Sequence, residues 1–247
     1  MTYCLSMRMD DGLVFLSDSR TNAGVDNVSI YRKLFVFHPA PDRTIVIQSA
    51  GNLATTQEVM DRIERDLATP DATASLSTGG SLADAALYVG RLSVEVADSH
   101  RAALAESGAD GTSTFLVGGQ IEDQPPDILL VYPEGNYIRA SDDRPFLQIG
   151  ETKYGKFLLE LATRAHLPIL GAAKVALSSM VSTADANLSV GPPYDLGIYR
   201  PATHQIEHVR IAADSPYLAR LQGVWNRHLT AALDELPMVE PGDLQFL

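Results

Sequence analysis

The strands of this sequence are apolar on both faces, yet the links between them are short. Leu13 to Leu16 is an unbroken apolar run. It follows a segment in which Tyr3, Leu5, Met7 and Met9 alternate with Thr2, Cys4, Ser6 and Arg8 at a period of two. Asp11-Gly12 between them is a hairpin signal. An antiparallel sheet with one wet face shows polar residues at every second position. Apolar residues on both faces call for a sheet packed on another sheet, with helices over the outer sides. The expected class is therefore α+β, a four-layer αββα sandwich of two antiparallel sheets.

The rest of the chain fits that frame. Four strands are expected in the first fifty residues, the last two being residues 33–37 and 44–49 around Pro39, Pro41 and Asp42. Leu53, Val59, Met60, Ile63 and Leu67 recur at helical spacing after Gly51-Asn52, and Ser81 with Asp84 resembles a capping box opening a second helix to about Ala105. Four more strands are expected over residues 114–117, 128–132, 136–140 and 146–149. A third helix carries Tyr154, Phe157, Leu158, Leu161 and Ala165 on one face, and a fourth carries Val175, Leu177, Met180 and Val181. A strand pair, 196–199 and 206–209, precedes a final helix opened by Ser215-Pro216. No repeat or interior linker interrupts residues 1–247, which read as one domain whose residues 236–247 form a loose tail.

Composition narrows the function classes. The 247 residues hold 31 Asp and Glu against 19 Lys and Arg, a net charge of −12. That argues against nucleic acid or an anionic membrane as the main partner, since both need a basic surface. The N-terminus has no basic segment leading into an apolar run, and no apolar stretch reaches the roughly 18 residues of a membrane span, so neither a signal peptide nor a membrane anchor is expected. Cys4 is the single cysteine, which rules out an internal disulfide and suits a reducing cytoplasm. On an apolar strand it reads as a small buried filler. His204 and His208 have ligand spacing for a helix, but in a strand they stand roughly 13 Å apart, too far to share a metal. Gly118-Gly119 and Gly191-Pro192-Pro193 read as turns. No metal or cofactor site is expected.

Thr2 is the first candidate for chemistry. Once Met1 is removed, it carries a hydroxyl and a free α-amine on one residue. An α-amine titrates at roughly 8, so it can act as the base that takes the hydroxyl proton. Asp18 and Lys33 are charged residues abutting apolar runs, where an unpaired charge is costly. As a buried pair beside Thr2, Lys33 would favour alkoxide character on the hydroxyl and lower the pKa of the amine, and Asp18 would hold Lys33.

Thr2, then Ser17-Asp18-Ser19-Arg20 with Gly24 close behind, then Arg32-Lys33-Leu34, resembles the start of a proteasome β subunit. Ser49-Ala50-Gly51-Asn52 resembles its oxyanion-hole turn. The opening Thr-Tyr-Cys-Leu and residues 16–37 are most similar to the bacterial branch called Anbu, the ancestral β subunit. The resemblance implies Thr2 as nucleophile, Lys33 as its electrostatic partner, Asp18 as the holder of Lys33, and Gly51 as the amide donor to the oxyanion. It implies Thr21 and Asn22 as residues lining the cleft and pairing with an extended substrate, and Asp185 and Ser189 as supports of the amine. It also implies a homo-oligomer, a ring or an open helical stack, acting on peptide or unfolded protein, and leaves any unfoldase partner unknown. The chain departs from the pattern in three places. The interval to Lys33 is about one residue short. Glu151 or Thr152 stands where a serine is expected. Asp185 and Ser189 lie one residue further apart, which brings Asn187 into play. The expected activity is threonine-dependent peptide hydrolysis. The alternatives are a ring-forming scaffold that has lost turnover and an amidase of the same class acting on a small amide.

Overall fold

The computed structural model describes residues 2–22, 28–163 and 167–240. The chain divides into two compact units, residues 1–212 and residues 213–247. The first unit opens with β1 (Tyr3–Met9), β2 (Gly12–Asp18), β3 (Arg20–Asn22), β4 (Val28–Ile30), β5 (Leu34–Ala40) and β6 (Arg43–Gly51). Helices α1 (Leu53–Ala68) and α2 (Leu82–Ser107) follow, then β7 (Ser113–Ile121), β8 (Asp127–Val131), β9 (Tyr137–Arg139) and β10 (Phe146–Gly150). Helices α3 (Lys156–Thr163) and α4 (Ile169–Ala186) lead to β11 (Tyr194–Arg200) and β12 (Gln205–Ile211). The second unit holds α5 (Pro216–Glu235), with proline in its first turn.

Two five-stranded antiparallel sheets result, one in the order β10-β1-β2-β11-β12 and the other β5-β6-β7-β8-β9. The two-faced apolar strands are the reason they stack. In β6, Ile45 and Ile47 join Val59 and Ile63 of α1 and Val89 of α2 in one core layer, while Val46 turns to the opposite face and meets Leu13 and Phe15 of β2. In β2, Val14 and Leu16 are fully buried on the other side, where α4 packs against β1 and β2. Each such side chain contributes about 1.5–3 kcal/mol on burial, and none of Leu13, Val14, Phe15 and Leu16 is more than 1% exposed. The αββα sandwich expected from the sequence is the architecture of the first unit.

Local chemistry sets the helix starts. Asn52 caps α1 by accepting from Thr55 N at 3.1 Å, and Ser81 caps α2 with its hydroxyl also bonded to Asp84. Three sequence expectations need correction. Gly118-Gly119, read as a turn, lies inside β7, paired with Val46 and Ile45 of β6. The described part of the first fifty residues holds six strands where four were expected, because the chain forms an extra two-stranded pair, β3 with β4. The apolar face expected on α3 is its outward one: Phe157 and Leu161 are exposed, and Leu159 and Ala162 face the core. Ala165 of that expected face lies outside the described residues. No described helix is long and apolar enough to cross a membrane.

Candidate active site

Thr2 sits one residue ahead of β1, and three segments converge on it. The first is the end of β2. Asp18 accepts a hydrogen bond from Tyr3 N at 3.1 Å through Oδ1, and the same oxygen accepts from Lys33 Nζ at 2.8 Å. Lys33 precedes β5 and also donates to the Arg20 carbonyl at 2.5 Å. Asp18 is fully buried and Lys33 only 4% exposed. Burial pushes the Asp18 carboxyl up from its usual range, and the Lys33 ammonium and the amides of Tyr3 and Gly191 act against that rise.

The second segment is the end of β6. Ser49 N donates to the Lys33 carbonyl at 3.1 Å, which sets the Gly51 turn two residues beyond the ion pair. Gly51 has φ +118°, and a Cβ there would stand 2.5 Å from the Thr112 carbonyl. Only glycine makes this turn without strain. Behind it, Asn52 donates its side-chain amide to the Asp110 carbonyl at 2.8 Å, and Thr55 Oγ1 bonds the Gly111 carbonyl at 2.7 Å.

The third segment joins β10 to the chain after α4. Gly150 pairs with Tyr3, and Glu151 N donates to the Thr2 carbonyl at 2.7 Å. A Cβ on Gly150, whose φ is +83°, would fall 1.9 Å from that carbonyl oxygen. Glu151 Oε2 accepts from Asn187 Nδ2 at 3.0 Å, and Asn187 Oδ1 accepts from Ser189 N at 3.0 Å and from Ser189 Oγ at 2.6 Å. The Ser-Asp-Ser-Arg run of β2 and β3 clamps this stretch. Ser19 Oγ donates to the Pro193 carbonyl at 2.6 Å, Arg20 Nη1 to the Leu188 carbonyl at 2.9 Å, and Gly191 N to Asp18 Oδ2 at 3.4 Å.

The structure therefore links Thr2, Asp18, Lys33 and Ser189 through one set of hydrogen bonds, and Gly51 lies two residues beyond Ser49, whose amide bonds the Lys33 carbonyl. Asp185 lies exposed in the last turn of α4, two residues from Asn187. Thr21 is half-buried with an Oγ1 that is sealed from solvent and has no hydrogen-bond partner among the described groups. Asn22 ends β3, its side chain outside the described residues, as are Met1 and Gly24. Among the described residues no group of three or more His, Cys, Asp or Glu could hold a metal. His208 serves a structural cluster instead. Its Nε2 lies 3.6 Å from Asp195, which also takes a bidentate bond from Arg210 at 2.9 and 2.8 Å. Burial alone would raise the Asp195 carboxyl, but these two partners outweigh it and hold it at about 2.

Solved structures share this fold over nearly the whole chain. An Anbu (ancestral beta-subunit) from Yersinia bercovieri is 39% identical, over 96% of this chain and 98% of its own, with a TM-score of 0.89. The Anbu complex of Pseudomonas aeruginosa, solved as a helical assembly, is 40% identical over 97% and 99%, with a TM-score of 0.91. The chain belongs to the Anbu family. An Anbu from a Hyphomicrobium species is 39% identical over 96% and 99%, at a TM-score of 0.86. No family model matches the chain, and no curated protein matches it.

Two features of this Anbu chain were not read from the sequence. One is the Tyr3 hydroxyl, which bonds Ser179 of α4 at 2.8 Å and Gln148 of β10 at 2.5 Å and so braces the strand that carries Thr2. Burial pushes its phenol up to about 12. The other is Arg20 as a clamp on residues 188–191. Its place beside Asp18 in the motif was the available signal.

Proposed function

We propose that this protein is a threonine peptidase of the proteasome type, with Thr2 as its N-terminal nucleophile after removal of Met1. The buried Asp18–Lys33 pair, tied to the backbone amide of Tyr3, is the observation that carries the reading. A lysine ammonium in this surrounding gains nothing structural that a well-packed apolar pair would not also supply. Beside a hydroxyl nucleophile it stabilises developing negative charge on oxygen.

In this reading the Thr2 hydroxyl attacks the scissile carbonyl and passes its proton to the α-amine. The Gly51 amide and the N-terminus of α1 behind it stabilise the oxyanion. The ammonium then returns the proton to the leaving amine as the C–N bond breaks, and water hydrolyses the ester. Thr21 and Asn22 receive an extended peptide as an added strand, while Asp185 and Ser189 steady the amine. The likeness to the helically assembled Pseudomonas complex supports a homo-oligomer. Phe157, Leu161 and Leu170, exposed on α3 and α4, supply an apolar contact face. With its lone buried cysteine the protein suits the cytoplasm.

Glu151 or Thr152 in place of the expected serine, with the wider spacing of Asp185 and Ser189, favours a second reading, an assembly-forming scaffold without turnover. Intact mass before and after incubation with a peptide epoxyketone decides between them, because that electrophile needs an amine and a hydroxyl on one residue. A chain lacking Met1 that gains one adduct on Thr2 supports the peptidase, and Thr2→Ala should then assemble normally without the adduct. A chain lacking Met1 that gains none refutes it. A panel of short peptides and small amides separates peptidase from amidase.

A further inference from the structure

Glu151 follows β10 directly and is joined to Thr2 through the backbone, and its carboxylate pairs with no cation among the described residues. Glu151 N bonds the Thr2 carbonyl at 2.7 Å, continuing the pairing of Gly150 with Tyr3. The half-buried carboxylate is fixed by Asn187, whose amide nitrogen lies 3.0 Å from Oε2. Asn187 in turn is held by the backbone and hydroxyl of Ser189, so the carboxylate cannot swing freely into solvent.

A carboxylate offers about four lone-pair positions, and the neutral Asn187 amide fills one. The nearby cations are otherwise engaged. Lys33 donates to Asp18 and to the Arg20 carbonyl, and Arg20 donates to the Leu188 carbonyl. Lys153 is exposed two residues on from Glu151. The other ionisable groups around the site are Asp18 from β2, Asp185 from α4 and Tyr194 from β11, none of which supplies a positive charge. The α-amine freed by removal of Met1 would be a cation delivered next to this carboxylate.

We propose that Glu151 is a positioning residue, the electrostatic partner of the mature Thr2 α-ammonium, held by Asn187 and Ser189 and setting the pH at which the amine becomes a base. This rests on the peptidase reading for its catalytic meaning, though not for its test. The sign follows from the charge. A carboxylate favours the ammonium form, so it moves the onset of base function to higher pH, and Lys33 acts in the opposite direction. An opposite charge within about 4–6 Å shifts a group by about 1–3 units, the low end applying at a half-buried site.

The test uses Glu151→Gln, which keeps an acceptor for Asn187 and removes the charge. The α-amine is titrated by nitrogen NMR on protein lacking Met1, a readout independent of turnover. The midpoint should fall by about one unit. Epoxyketone adduct formation should then run roughly tenfold faster than wild type on the acid limb, one unit being a factor of ten. Glu151→Asp, which retains the charge, should stay near the wild-type midpoint. An unmoved or raised midpoint in Glu151→Gln overturns the proposal, as does a fall of equal size in Glu151→Asp. If wild-type protein lacking Met1 forms no adduct, the peptidase reading fails, and the NMR titration still decides the role of Glu151.

Discussion

Replacing Lys33 by methionine tests the buried pair directly. The substitution keeps most of the side-chain length and removes the ammonium, leaving Asp18 fully buried with only the amides of Tyr3 and Gly191 as donors. Removing one partner of a buried ion pair costs about 3–5 kcal/mol, because the remaining charge is uncompensated. For a unit of this size each kcal/mol lowers Tm by about 2–4 °C, so a drop of roughly 6–20 °C is expected at pH 7.5 in a thermal melt followed by near-UV circular dichroism. The loss should shrink as pH falls, because burial already pushes the Asp18 carboxyl up and protonation neutralises the stranded charge. The double variant Asp18→Asn with Lys33→Met should recover more than half of the lost stability, since neither charge is then buried. It should not recover adduct formation at Thr2. A Tm within 2 °C of wild type for Lys33→Met would refute the reasoning. So would a loss of equal size at pH 5 and pH 7.5.

Two further outcomes follow from the same site and its flank. Gly150→Ala places a Cβ 1.9 Å from the Thr2 carbonyl at φ +83°, so the strand pair must part beside Thr2. Stability should fall by about 1–3 kcal/mol and adduct formation at Thr2 by far more than a comparable loss elsewhere would cause, as read by denaturant melts and intact mass. Arg210→Ala removes the bidentate partner of Asp195. The Asp195 carboxyl is held below its unfolded value, so its contribution is complete above about pH 4 and disappears as pH falls through about 2. Arg210 is half-exposed and His208 remains, so the expected loss is about 1 kcal/mol at pH 7, vanishing towards pH 2 in urea melts at stepped pH.

The fold was legible where sequence signals were local or repeated. Asn52 and Ser81 announced their helices by side-chain capping, and the runs through Leu16 and Val46 announced two stacked sheets. The β3–β4 pair was not legible, because three residues do not establish a period. Helix α3 lies where its period places it, but the apolar stripe that marks it in the sequence faces outward. Tyr154, Phe157 and Leu161 form the more apolar stripe, whereas burial falls to Leu159 and Ala162. Periodicity identifies a helix without saying which of two apolar stripes meets the sheet. In the site, Asp18 and Lys33 could be singled out because charges at the ends of apolar strands need a partner. The link from Asn187 to Glu151 joins residues 36 apart in sequence through two loops, and no local pattern encodes it.

The position of Thr2, a single residue ahead of a strand buried on both faces, has a consequence for precision. From Tyr3 onward the chain is locked between β10 and β2, so in the proposed peptidase only the torsions of one residue would remain to be frozen on substrate binding. That is the condition under which a reacting group attains a high effective molarity. The same arrangement protects its register. A slip of β1 by one place would exchange its two faces, putting Tyr3 between the sheets and Cys4 against α4, a change that sheet pairing does not tolerate in a buried strand.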